Sequence, residues 1–163
     1  MTYKDFKEIF VKEYEEYTLL YEIVKRKQEA IINNDIEQLA DILREEQSVI
    51  ENIEELEEAR QAVLNKLAEE KKEERDKPLS FAGLMELVPA EKEELEQLRD
   101  QFLQLLDKLQ EINNENRDLI EDSLKITEAS LEFIREATGR TNLYSNRNDE
   151  TGVQTDHIID KRV

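Results

Sequence analysis

The sequence predicts an all-α protein: an elongated antiparallel bundle of three long helices with a short fourth helix, followed by a flexible C-terminal tail. Three observations predict it. The 163 residues include only three Gly and two Pro, and charged residues (39%) balance hydrophobic ones (38%). That composition suits long amphipathic helices rather than a thick layered core. Apolar residues recur at steps of three and four through most of the chain before Gly139, which places them along helix faces. The turn formers Asn33-Asn34-Asp35, Pro78, Pro89 and Gly139 fall between the periodic stretches. The expected boundaries are helices at about 3–32, 35–74, 81–87 and 89–138, a bundle over 1–139 and a tail over 140–163.

The first helix opens on Thr2-x-x-Asp5, a capping-box pattern. Tyr3, Phe10, Tyr17, Val24 and Ile31 then recur every seven residues, with Phe6, Tyr14, Leu20 and Tyr21 beside them. This widened stripe reads as core against two neighbours. Asn33-Asn34-Asp35 is a turn signal, and Asn34-x-x-Glu37 offers a cap for the next helix. A turn this short makes the second helix antiparallel to the first.

The second helix carries the stripe Ile36, Leu39, Leu43, Ile50, Ile53, Leu64 and Leu67, with Ile42, Val49, Leu56 and Val63 alongside. Glu46, Glu57 and Arg60 fall in the same register. Charged groups at seam positions are unfavourable unless paired. Glu57 and Arg60 stand three residues apart and are placed to meet on one helix. The cluster reads as an ion pair that fixes helix register; the competing reading, a functional polar site, lacks any His or Cys. The charged run Glu69–Lys77 reads as a solvated helix end and linker closed by Pro78. Ser80 then caps a short helix, 81–87, with Phe81, Leu84, Leu87 and Val88 as its apolar side. Too short to stand alone, it is expected to dock as an end cap; the alternative is a mobile recognition segment.

Pro89 suits the first position of the last helix and Gly139 the position after its end. About 48 helical residues at about 1.5 Å each make a rod of about 70 Å. Its stripe runs Leu95, Leu98, Phe102, Leu105, Leu109, Ile112, Leu119, Ile126, Phe133. At Asn113 and Asn116 the seam turns polar, which commonly fixes register or oligomeric state. Beyond the break, Leu119, Ile120, Leu124, Ile126, Leu131, Phe133 and Ile134 spread over more than one face, with the small residues Ser123, Thr127, Ser130 and Ala137 at or beside the seam. This surplus of apolar surface predicts a protein-binding region. From Arg140 onward the periodicity is lost, and four basic residues balance four acidic ones. The formal net charge of -18 therefore lies on the helical body.

That charge repels nucleic acid and anionic membranes. Without Cys, thiol catalysis, Cys-ligated zinc and disulfides are excluded. The one His, His157, sits in the tail, so neither Glu-x-x-His pairs nor His-Glu-x-x-His occurs. With 41 carboxylates, chance acidic pairs are inevitable and signal no acid–base chemistry. No phosphate-binding loop, secretory signal or membrane span is visible. The residues thus predict no enzyme, no cofactor and no metal.

Four stretches in this order resemble the FlgN-type flagellar export chaperones. The first runs from Asp35-Ile36-Glu37-Gln38-Leu39 through Glu46 to Ile53-Glu54-Glu55-Leu56-Glu57-Glu58-Ala59-Arg60. The second is Leu79-Ser80-Phe81-Ala82-Gly83-Leu84-Met85-Glu86-Leu87-Val88-Pro89 and the third Leu95–Leu109. The fourth is Asn113-x-x-Asn116-x-x-Leu119-Ile120-x-x-Ser123-Leu124. Many relatives carry Tyr-Gly soon after the long helix; here Tyr144 is followed by Ser145. The resemblance implies a cytoplasmic chaperone that binds hook-associated (hook–filament junction) proteins, prevents premature assembly and delivers them to the export apparatus. It places partner binding on Leu119, Ile120, Leu124, Ile126, Leu131, Phe133 and Ile134, and on Leu143 and Tyr144. A homodimer in the absence of cargo, or a self-associating coiled-coil scaffold, is the alternative use of the same surface.

Overall fold

The computed structural model describes residues 2–70 and 79–139, and every regular element in them is helical. In order these are α1 (Tyr3–Ile32), α2 (Ile36–Glu70), α3 (Phe81–Leu87), a 3-10 turn at Pro89–Glu91, and α4 (Lys92–Thr138). The expected end of the second helix at 71–74, the charged linker to Pro78, and the tail 140–163 with His157 lie outside the described residues. The chain divides into two units, Met1–Asn116 and Arg117–Val163, so the boundary falls inside α4, at the polar break.

Local chemistry sets the ends of the helices. The Thr2 backbone N–H and hydroxyl both donate to Asp5 Oδ2, at 2.6 and 3.0 Å. These two donations, the backbone one first, hold the Asp5 carboxyl below its usual range. Asn34 takes a left-handed φ of 54°, a conformation Asn tolerates better than most residues. The cap of α2 therefore sits one residue later than the sequence suggests. It is Asp35, whose Oδ1 accepts from the Gln38 backbone N–H at 3.0 Å. Ser80 caps α3 as expected, its Oγ accepting from Gly83 N–H at 3.1 Å. Ser80→Ala leaves that N–H without its acceptor and is expected to lower stability by about 1 kcal/mol, read as a fall in urea midpoint at unchanged slope. Gly139 follows α4 at φ 65°, the left-handed residue that commonly ends a helix.

In the first unit, three helices share one core. Cross-helix partners show the directions. From Tyr17–Glu57 to Lys27–Glu46, numbers rise along α1 and fall along α2, so the pair is antiparallel. From Phe10–Phe102 to Gln28–Glu115, numbers rise together, so α4 runs parallel to α1. The buried line of α1 passes through Phe6, Phe10, Tyr17, Leu20 and Val24; that of α4 through Leu95, Phe102, Leu105, Leu109 and Ile112. Of the stripe read from the sequence, Phe6, Phe10, Tyr17, Leu20 and Val24 are core, whereas Tyr3, Tyr14, Tyr21 and Ile31 are half-buried at its edges. Phe10 stacks on Phe102 at 5.1 Å between centroids, and Tyr17 meets the same ring edge-on at 5.1 Å.

Helix α3 is docked. Phe81 lies 5.3 Å from Phe10 and 5.8 Å from Phe6, while Leu84 is fully buried and Met85 nearly so. Leu87 and Val88 are half-buried.

One expected stripe is corrected. Ile36 and Leu43 are exposed and Leu39 is half-buried, whereas Ile42, Val49, Ile50 and Ile53 are buried. The seam of α2 follows Ile42, Glu46, Val49, Ile53, Arg60, Val63 and Leu67, in steps of three, four and seven. Ile36 and Leu43 stand roughly 100–120° round the helix from that line, where they have no place in it.

Candidate partner-binding surface

The polar seam residues lie in the first unit, and their partners are on α1. Lys27 Nζ donates to Glu46 Oε1 at 2.6 Å, with both side chains more than nine-tenths buried. Two heptads along, Arg60 Nε donates to Glu13 Oε2 at 2.8 Å, with Glu13 almost fully buried. Beside them the Tyr17 hydroxyl donates to Glu57 Oε1 at 3.0 Å. Arg60 and Glu57 thus reach across the helix pair, a different arrangement from the meeting within α2 that their spacing suggests. Glu13 and Lys27 were not among the residues the sequence singled out. The signal was present: they occupy the same seven-residue register as Phe6 and Leu20, masked by the aromatic run beside it.

Asn116 is buried, and its Nδ2 donates to the Val24 carbonyl of α1 at 3.1 Å, while its Oδ1 is buried without a hydrogen-bond partner among the described residues. Asn113 is half-buried. Asn116 thus ties α4 to α1 at the last residue of the first unit. At the other end of the same pair of helices, Glu94 accepts from Lys7 and from Tyr3, the latter at 2.9 Å. Lys7 first, and Tyr3 second, hold the Glu94 carboxyl below its usual range; burial first, and Glu94 second, raise the Tyr3 phenol well above its own. These groups tie the helices to one another. Among the described residues no group of three or more His, Asp or Glu is placed to hold a metal, and no helix is long and apolar enough to cross a membrane.

The second unit carries the surplus apolar surface on α4. Leu119 is half-buried, while Ile120, Leu124, Ile126, Leu131, Phe133 and Ile134 are all exposed, Phe133 at 72% and Ile126 at 68%. Helical geometry sorts them into two rows. Leu119, Ile126 and Phe133 form one; Ile120, Leu124, Leu131 and Ile134 form the other. Together they span roughly 180° of the helix circumference, against the stripe of about 100° that suffices to pack a surface helix.

Between the rows run Ser123, Ser130 and Ala137, and a shallow open groove is lined by Ile126, Ala129, Ser130, Phe133 and Ile134. The hydroxyls in this region do not make it polar. Ser130 Oγ donates to the Ile126 carbonyl at 2.8 Å, Thr127 Oγ1 to the Ser123 carbonyl at 2.9 Å, and Thr138 Oγ1 to the Ile134 carbonyl at 2.7 Å. Each donor is spent on the backbone one turn back, so the groove presents carbon. Leu143 and Tyr144 lie outside the described residues.

Fold and surface together define a class: an all-α protein whose unsatisfied feature, among the described residues, is an uncovered apolar helix face rather than a cleft of reactive groups. Such a face suits the capture of another polypeptide. The chain belongs to the FlgN protein family, whose model matches residues 1–151. That match spans the helical units just described, including the whole apolar face. The family is one of flagellar export chaperones, proteins that bind flagellar proteins rather than catalyse a reaction. No curated protein and no solved structure matches the chain.

Proposed function

We propose that this chain is a cytoplasmic export chaperone for the hook-associated proteins of the hook–filament junction. It covers their assembly helices before export, prevents premature assembly and delivers them to the flagellar export apparatus. The observation that carries the reading is the run of six exposed large apolar side chains between Ile120 and Ile134 in a chain of this family. Leaving them in water forfeits roughly 1.5–3 kcal/mol per fully buried side chain, which a partner helix laid along the face recovers. The first unit holds the helix by its N-terminal half, and the face does the binding. Leu143 and Tyr144 join the proposed site on the family resemblance.

The reading is tested by mixing the purified protein with purified junction proteins and measuring the mass of the products by light scattering. A discrete complex of about 1:1 stoichiometry is expected with at least one of them. Self-association with no junction protein bound would overturn the proposal in favour of the second reading, a self-associating coiled coil. What favours that second reading is the seven-residue spacing of Leu119, Ile126 and Phe133.

A further inference from the structure

The apolar face of α4 has two unlike charged borders. The row Leu119, Ile126, Phe133 is flanked by Asp118, Asp122 and Glu136, all exposed. The row Ile120, Leu124, Leu131 is flanked by Arg117 and Arg135. Glu128, Glu121 and Glu132 lie beyond the arginines and Lys125 beyond the acids, each further from the apolar rows by helical geometry. Two of these border groups pair with neighbours on the same helix: Asp122 with Lys125 at 3.9 Å and Arg135 with Glu132 at 3.4 Å. Such i, i+3 pairs on one helix are weak and exchange readily for a partner's charges.

We propose that these borders read the direction of the bound partner. The occupant is a single amphipathic α-helix of the exported protein, with basic residues along one flank of its apolar face and acidic residues along the other. Its basic flank lies beside Asp118 and Asp122 and its acidic flank beside Arg117 and Arg135. The reason is geometric. Turning such a helix end for end, with its apolar face kept on the groove, exchanges its two flanks. The basic flank then meets the arginines and the acidic flank meets the aspartates, so the wrong direction is repelled on both sides. Burial along the rows supplies affinity without direction; the borders supply direction. This inference rests on the chaperone reading, since it requires a partner on this face.

The test compares two charge-reversed variants in binding to the purified junction protein of the complex. One combines Asp118→Lys with Asp122→Lys; the other combines Arg117→Glu with Arg135→Glu. All four positions are on the described helix without a place in the core, so both variants are expected to keep wild-type helical content by circular dichroism. Both are expected to bind about tenfold more weakly at low salt, with the loss shrinking as ionic strength rises. If the two variants shift binding in opposite directions, only net charge matters and the proposal is overturned. It is equally overturned if either variant binds as the wild type does. Phe133→Asp, measured alongside, separates the two levels: if it too binds normally, the face is not the binding site and the underlying reading fails.

Discussion

Lys27→Met is expected to destabilise the protein by about 3–5 kcal/mol, although the substitution is close in volume and more apolar. Glu46 is the reason. Its carboxylate is buried against Lys27 Nζ at 2.6 Å, and without the ammonium it keeps its desolvation penalty with nothing to offset it. The double variant Lys27→Met with Glu46→Leu removes both charges, and is expected to return to within about 1 kcal/mol of the wild type or to exceed it. Urea midpoints at constant slope measure both. A single variant as stable as the wild type would mean the pair is solvated in solution; a double variant as weak as the single would place the loss in packing, not charge.

The same logic assigns a role to the pairs. Along α1 an acid, Glu13, precedes a base, Lys27; along α2 an acid, Glu46, precedes a base, Arg60. Antiparallel pairing in the observed register joins acid to base at both levels. A slip of one heptad in either direction sets Glu13, Lys27 and Arg60 against apolar seam positions, and a parallel arrangement sets Glu13 level with Glu46. One buried and one part-buried ion pair are thus weak sources of net stability and strong discriminators of register.

Phe133→Asp is expected to weaken cargo binding by about 30-fold or more while leaving helical content and the thermal transition nearly unchanged. The ring is the most exposed large apolar side chain of the chain's described residues, so its loss removes nothing from the core. In the proposed complex it serves as the aromatic anchor, and such positions cost more than about 2 kcal/mol of binding when truncated. Leu131→Asp on the other row is expected to behave alike, more weakly. Titration calorimetry with the junction protein and circular dichroism on the free variants provide the two readouts. If the free variants lose their cooperative transition, the side chains are structural and the binding assignment is wrong. The contrast within one helix is sharp: Phe102, 8% exposed, stacked on Phe10 and met edge-on by Tyr17, is expected to unfold the first unit when made acidic.

Much of this was legible from the residues. Thr2 and Asp5, Ser80 and Gly139 announced the helix ends, and the polar break at Asn113–Asn116 coincides with the division of the chain into its two units. The surplus of apolar residues after the break was visible as a count that one face does not accommodate. Other features were not legible. Glu57 and Arg60 stand close enough in sequence to suggest each other, yet Tyr17 and Glu13 on the neighbouring helix are their partners. Ile36 and Leu43 looked like core and are exposed. Ser130 and Thr127 read only as small residues at or beside the seam, and their hydroxyls are turned back onto the helix backbone.

The division has one physical cause. Periodicity is local: side chains three and four apart share a face whatever surrounds the helix. So the sequence by itself determined the helices, their caps, the seam with its polar residues, and the apolar excess at the end of α4. Which face is covered, and by what, depends on the register between helices distant in sequence. Only the tertiary structure decided that Lys27 answers Glu46, that Glu13 answers Arg60, and that the α2 seam runs through Ile42 rather than Leu43. It also decided that the large apolar side chains from Ile120 to Ile134 are left exposed.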